Sequence, residues 1–305
     1  DLSKRPHRMP KRTDEFIEQM IIRVKNKYPT WGPKKLKVKL EENHPGINIP
    51  AASTIGLILN KNGLVIAKKR RIQRSYHPTH LTESKNANDV WAIDYKGHFK
   101  TRDNKYCYPL TITDNHTRFL IAVEAMESIN SEDAFQVFQE CFLTYGMPKI
   151  IRSDNGSPFA STNAIFGLTK LSAWFIKLGI KVERIEPGKP QQNGRHERMH
   201  RTLKQDVLRP PALNILQQQE KFNSFKFIFN NERPHEALGQ KTPASLYVKS
   251  NKKYNEEELT YPTHDNSAIV DISGKIDFLN KRKINISRAL YGQRIGFREL
   301  DDKWL

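Results

Sequence analysis

A chain of 305 residues, 37% of them hydrophobic, is long enough for two or three packed domains and too apolar to be disordered throughout. Its net charge of +18 points to a polyanionic partner, while only two cysteines, Cys107 and Cys141, exclude a disulfide scaffold or a cysteine-rich zinc module and fit a reducing compartment. No run of 18 apolar residues occurs, and the start Asp1-Leu2-Ser3-Lys4-Arg5 has no apolar signal core, so neither a membrane span nor a secretion signal is expected.

The charge is unevenly spread. Residues 1–75 hold 18 Lys and Arg against 6 Asp and Glu, so two thirds of the excess lies in the first quarter of the chain. Behind a basic segment, 1–12, the spacing of Ile17, Met20, Ile21, Val24 and Tyr28 predicts a helix, which Trp31-Gly32-Pro33 interrupts. A second helix carries Leu36, Val38 and Leu40. A third opens near Pro50, turns Ile55, Ile58 and Leu59 inward and stops at Gly63. The β-like piece Leu64-Val65-Ile66 and then Lys68-Lys69-Arg70-Arg71 would form a basic wing. Residues 13–75 therefore read as a helix-turn-helix, winged-helix-like DNA-binding domain, with Ser53, Thr54 and Lys61 facing a groove; the plainer alternative is a three-helix packing unit.

Residues 76–89 lack periodicity and read as a linker. Strands are then expected over 90–99, 106–113 and 119–126, followed by a helix with Ser131 as N-cap, Glu132 and Asp133 in its first turn and Gly146 at its end. A strand at 149–152, a helix near 168–178, a strand at 180–185 and a helix from about Gln191 to Leu208 complete a β-β-β-α-β-α-β-α order. That order implies a mixed sheet with helices on its faces, spanning 90–250 with a helical extension in which Phe222, Phe225, Phe227 and Phe229 are core. Short apolar runs between glycines suggest a small all-β, barrel-like domain over 260–305. The chain as a whole is thus multidomain α/β.

Three carboxylates stand out within this order. Asp94 follows Trp91-Ala92-Ile93 inside a strand, Asp154 lies in the turn Ser153-Asp154-Asn155-Gly156, and Glu197 rides on a basic helix. A carboxylate against a sheet needs a cation or a full set of hydrogen bonds. Two aspartates and a glutamate from separate elements are suitable hard-oxygen holders for magnesium, and a two-ion site is suited to phosphodiester cleavage. On the last helix Gly194, Glu197, Arg201 and Lys204 share a face, so one surface can serve metal and phosphate together. Each acid taken alone has a structural reading, as a turn residue or a salt-bridge former.

The chain resembles the DDE recombinases: insertion-sequence transposases with an integrase core, related in fold to retroviral integrases and ribonuclease H. The resemblance covers about 88–250 and rests on Trp91-Ala92-Ile93-Asp94, Ser153-Asp154-Asn155-Gly156-Ser157-Pro158-Phe159 and the run Pro190-Gln191-Gln192-Asn193-Gly194-Arg195-His196-Glu197-Arg198-Met199-His200-Arg201-Thr202-Leu203-Lys204. Asn231-Glu232-Arg233-Pro234-His235 and Thr242-Pro243-Ala244 look like the family's tail. Trp31-Gly32-Pro33-Lys34-Lys35-Leu36 is similar to an N-terminal DNA-binding unit of such transposases.

The resemblance implies that Asp94, Asp154 and Glu197 form a metal-binding catalytic triad holding two Mg2+ ions, with Mn2+ able to substitute. It implies double-stranded DNA as partner, both element ends and target, a homodimer or larger synaptic complex, and a bacterial cytoplasmic, nucleoid-associated location. Lys34, Lys35, Ser53, Thr54, Lys61, Lys68, Lys69, Arg70, Arg71, Gln192, Asn193, Arg195, Arg198, Arg201 and Lys204 are the expected DNA contacts. The 42 residues between Asp154 and Glu197 exceed the retroviral spacing and favour the insertion-sequence branch. Relatives usually carry another helix-turn-helix unit upstream, and the absence of a starting Met suggests that one is missing here.

Rival readings exist. His196-Glu197-Arg198-Met199-His200 matches H-E-x-x-H, the zinc metalloprotease signature, but Arg195, Arg198, Arg201 and Lys204 surround it with cations and it leaves Asp94 and Asp154 unexplained. His196 and His200 read more simply as packing or phosphate-contacting side chains. A catalytically inactive transposase-derived regulator is opposed by the presence of all three acids. A ribonuclease H acting on RNA–DNA hybrids is opposed by the helix-turn-helix unit.

Overall fold

The computed structural model describes residues 13–65, 81–160, 167–255, 264–278, 282–300 and 303–304. The chain divides into two compact units, one formed by 1–75 with 231–245 and the other by 76–230 with 246–305.

The first unit contains three helices, α1 (Glu15–Lys27), α2 (Pro33–Asn43) and α3 (Ala52–Lys61). Asp14 caps α1 by accepting from the Phe16 amide, and Pro33 opens α2 where a missing N–H costs nothing. Ile21, Leu36, Leu40, Ile55 and Leu59 form the apolar centre. Tyr28 and Trp31 stack with ring centroids 4.0 Å apart. Residues 231–245, read from the sequence as the tail of the core, cluster with these helices instead. Tyr28 donates to Glu232, Lys35 donates to the Pro234 carbonyl, and the Arg233 guanidinium lies 6.0 Å from the Trp31 ring centroid. The Lys68–Arg71 wing lies outside the described residues.

The second unit is built on a mixed sheet of β1 (Val90–Tyr95), β2 (Phe99–Lys100), β3 (Tyr106–Asp114), β4 (Leu120–Met126), β5 (Ile150–Ser153) and β6 (Lys181–Arg184). β3 lies between β1 and β4, antiparallel to both, and β5 runs parallel to β1 and β6. β1 is central, which explains why Val90-Trp91-Ala92-Ile93 is apolar without alternation: both faces are covered. One face is covered by α4 (Ser131–Tyr145) and α5 (Lys170–Lys177), where Phe138, Phe142, Trp174 and Phe175 join Trp91, Ile93 and Ile151. Another cluster brings Met199 and Leu203 of α6 (Gly194–Asp206) and Phe222 and Phe225 of α7 (Ile215–Phe227) onto Leu120 and Val123.

Two boundaries differ from the sequence reading. The cap of α4 is Asn130, whose extended backbone lets its side chain accept from the Asp133 amide at 2.8 Å, whereas Ser131 is already helical. The expected helix from Gln191 begins as a 3-10 turn over Pro190–Asn193, and regular α-helix starts only at Gly194. Gln192 explains the delay: its side-chain amide accepts from the Glu186 amide and donates to the Glu186 carboxylate, fixing the turn before α6. Toward the C-terminus, β7 (Asn266–Ile269) pairs with β10 (Arg294–Phe297), β8 (Lys275–Phe278) with β9 (Arg282–Asn285), and β11 (Glu299–Leu300) with β12 (Lys303–Trp304). Among the described residues these are three two-stranded pairs, with β8 and β9 lying in sequence between β7 and β10, and no closed barrel is formed. No helix among the described residues is long and apolar enough to cross a membrane.

Candidate active site

The register of β1 against β5 brings the first two acids side by side. Val90 pairs with Ile150 and Ala92 with Arg152, so continuing this parallel register by two residues puts Asp94 opposite Asp154. Side chains two apart on a strand share a face, and neighbouring strands lie about 4.8 Å apart. β5 ends at Ser153, so the Asp154 side chain is released into a turn. There its Oδ1 accepts from the Gly156 amide at 2.9 Å, while Asn155 ties the turn to the Ile185 carbonyl at 2.7 Å.

α6 contributes the third acid. Its inward face carries His196, Met199, His200 and Leu203, all buried, which leaves Glu197 exposed at the edge of the sheet. Asp94, Asp154 and Glu197 line one cleft of about 340 Å³, together with Asn155, Gly156, Lys189 and Asn193. Burial, reinforced by repulsion from Asp154 and Glu197, pushes the Asp94 carboxyl up to about 7. Three carboxylates converging on one cleft attract a hard cation, and the donor set fits magnesium.

Behind Asp94 lies a polar network. The Thr111 hydroxyl donates to the Asp94 carbonyl at 2.9 Å and contacts His196 Nε2 at 2.8 Å and His200 Nε2 at 2.7 Å, while Thr113 meets His196 Nδ1 at 2.7 Å. A hydroxyl has one proton and a carbonyl only accepts, so with Thr111 donating to Asp94 both imidazoles must donate to Thr111 through Nε2. His196 Nδ1 then accepts from Thr113. Burial drives both histidines well below their ordinary pKa, His196 to about 3, so the pair is neutral.

At 1% and 2% exposure, the two histidines are packing residues and have no surface with which to touch phosphate. They do lie near Asp94, with His200 Nδ1 3.7 Å from its Oδ2, and ligand atoms of the three residues lie within 4.8 Å of one another. Both His196 nitrogens are nevertheless engaged by threonine hydroxyls, and Glu197 faces the acid cleft. That is not the arrangement of a zinc protease, in which the histidine pair must be free to bind the metal.

Among the other sequence candidates, Arg195, Arg198, Arg201 and Lys204 are exposed on α6, Asn193 borders the cleft, and Gln192 braces Glu186. In the helical unit Ser53 and Lys61 are exposed and Thr54 is half-buried. Lys34 pairs with Glu236, and burial, with Arg233 nearby, brings Lys35 down to about 8. Thr111, Thr113 and Arg118 were not foreseen. The alternation of Thr111 and Thr113 on β3, opposite the Asp94 strand, is the one signal from which the threonines were accessible.

Residues 84–190 and 178–243 each match a family model described as Integrase core domain. Together these matches run over residues 84–243, where the chain carries an integrase core. The resemblance to insertion-sequence transposases read from its motifs is borne out by two relatives. It is 23% identical over 241 residues to the 39.2 kDa protein of insertion element IS476 from Xanthomonas euvesicatoria, covering 78% of this chain and 66% of that protein. It is 21% identical over 243 residues to the 31.7 kDa protein of insertion element IS407 from Burkholderia multivorans, covering 79% and 83%. The chain thus spans slightly less than two thirds of the IS476 relative. Among solved structures, the HTLV-2 integrase catalytic core domain in complex with magnesium is similar at 18% identity and a TM-score of 0.43, covering 54% of this chain and 99% of that one.

Proposed function

We propose that the protein is a DNA transposase that binds the terminal inverted repeats of its element, hydrolyses the phosphodiester at each 3′ end and joins the freed hydroxyl to target DNA by in-line transesterification. The observation that carries this reading is the shared cleft of Asp94, Asp154 and Glu197 in an integrase core. Asp94 and Asp154 would hold two magnesium ions in common, and Glu197 one of them, with manganese an acceptable substitute. A bound pair supplies an activated water or hydroxyl and neutralises charge at the phosphorus and the leaving oxygen.

The chain's own residues prepare the site. Thr111 and its two histidines hold the backbone of Asp94, Gly156 and Asn155 fix the Asp154 turn, and Arg201 and Lys204 neutralise the scissile strand, with Gln192 and Asn193 near its backbone. The helical unit, read as a helix-turn-helix domain, grips duplex DNA through Ser53, Thr54, Lys61 and nearby lysines, including Lys34 and Lys35. Two ends must be processed together, so the working form is a homodimer or larger synaptic complex in the bacterial cytoplasm.

The test is cleavage of a labelled end duplex in the presence of magnesium. The parent should nick the 3′ strand and Asp154→Asn should lose that activity; equal cleavage by both would end the assignment.

A further inference from the structure

A cationic cluster lies just beyond the C-terminal end of β3. Arg118, in the turn between β3 and β4, is half-buried and adopts a left-handed backbone with φ of 66°. Its Nη1 donates to the Asn115 carbonyl. Arg195 Nη1, from the first turn of α6, donates to the same carbonyl at 2.9 Å. Two guanidiniums thus converge on a single neutral acceptor, with Arg198 exposed on the next turn of the helix.

Among the described residues Arg118 has no ion pair, although the charge of Asp114 attracts it. The nearby carboxylate, Asp114, is committed elsewhere: Oδ1 accepts from the Asn88 amide, and Oδ2 from the Thr117 amide and hydroxyl. Burial, then repulsion from Arg195 and Arg198, brings the Arg118 guanidinium down to about 10. The start of α6 adds to the imbalance, since a helix N-terminus is itself positive and disfavours cations. Glu197, the one acid of that first turn, faces the triad cleft. Guanidiniums converging in this way present several donors to an anion with several oxygens.

We propose that Arg118, Arg195 and Arg198 form an anion site that takes a backbone phosphate of the bound DNA strand, separate from the acid cleft. The inference rests on the reading of the chain as a DNA-processing enzyme. Thr111 lies opposite Asp94, and Asn115 is four residues further along the chain, about 13 Å at 3.3 Å per residue. A nucleic-acid strand advances about 3.4 Å per phosphate, so the contacted phosphate lies roughly four steps from the scissile bond. The site would fix how far the strand is drawn past the triad.

The experiment is a salt titration of the binding of a fluorescent DNA duplex to the full chain in metal-free buffer. Arg118→Gln and Arg195→Gln should each make the slope of log K against log salt shallower, by at most about 0.9, the value for one lost phosphate contact. Lys105→Gln, which removes an exposed charge elsewhere on the same unit, should keep the parental slope. Arg195 is exposed, so its variant keeps the test valid if Arg118→Gln fails to fold; Arg118→Lys should restore most of the slope.

A parental slope in Arg195→Gln, or a change no larger than that of Lys105→Gln, overturns the inference while duplex binding by the parent leaves the enzymatic reading intact. A parent that binds no duplex at all overturns both. If inorganic phosphate binds equally to parent and Arg195→Gln, the cluster is no anion site.

Discussion

Thr111 stands opposite Asp94 in the β1–β3 register and donates its hydroxyl proton to the Asp94 carbonyl at 2.9 Å. The same oxygen receives both buried imidazoles, so a single hydroxyl joins the first acid's strand to the helix that carries the third. Replacement by valine keeps the shape and removes every one of these bonds. Thr111→Val should lower stability by about 1–3 kcal/mol through the unsatisfied imidazole N–H groups, and Thr111→Ser should restore it. Urea denaturation midpoints at constant slope measure the difference.

The Asp94 carboxyl gives the metal-free protein a definite pH response. Its value in the fold, about 7, lies above its ordinary 3.8, so the neutral acid favours the fold below about pH 4 and this contribution is lost as pH rises through 7. Asp94→Asn should therefore stabilise the metal-free chain at pH 8 by up to about 4 kcal/mol and leave it almost unchanged at pH 4. Thermal melting in chelator at the two pH values tests this, and a variant less stable than the parent at pH 8 would contradict it.

Gly156 holds Asp154 by proximity as well as by its amide. A Cβ at this position would lie 3.1 Å from Asp154 Oδ2 and 3.2 Å from Oδ1, closer than side chains ordinarily sit. Gly156→Ala should displace the carboxylate with little loss of stability, and a misplacement of about 1 Å lowers turnover on the order of 100-fold. Single-turnover cleavage rates at saturating magnesium, set beside melting curves, separate the two effects.

The strand that leads into the Asp154 turn is anchored by a buried ion pair. Arg152 reaches Glu183 at 2.8 and 2.6 Å, and Thr82 donates its amide and hydroxyl to the other carboxylate oxygen. Burial opposes ionisation of Glu183, but the bonds from Thr82 and Arg152 hold it below its ordinary value of 4.5. Its contribution is thus complete above pH 4.5 and fades as pH falls through the lower folded value. Glu183→Ala at neutral pH should cost about 3–5 kcal/mol by leaving the Arg152 charge unpaired, read as a drop in denaturation midpoint.

Much of this was legible in the sequence because the relevant constraints are local. Asp94 interrupts an otherwise apolar strand, Asp154 sits in a turn whose Asn and Gly are visible, and Glu197 shares a helical face with Arg201 and Lys204. What sequence does not display is register. The offset of 60 residues between β1 and β5, which aligns Asp94 with Asp154, depends on a sheet assembled from distant strands.

The same limit hid Thr111 and Thr113, whose role appears only once α6 lies across β3, and Arg118, whose meaning depends on Arg195 reaching the same carbonyl. Non-local packing also accounts for residues 231–245, which follow the core in sequence but bind Tyr28 and Lys35 of the helical unit. Asn130 and Ser131 are both good caps by residue type, and the extended backbone at 130 decides between them.

The proposed chemistry requires Asp94, Asp154 and Glu197 to serve one coordination sphere, and calorimetric titration of magnesium into the parent and three single variants tests that most directly. Asp94→Asn, Asp154→Asn and Glu197→Gln should each weaken binding by about tenfold or more, since each removes a charged oxygen ligand from a common site. Parental affinity in Asp154→Asn or in Glu197→Gln would contradict it.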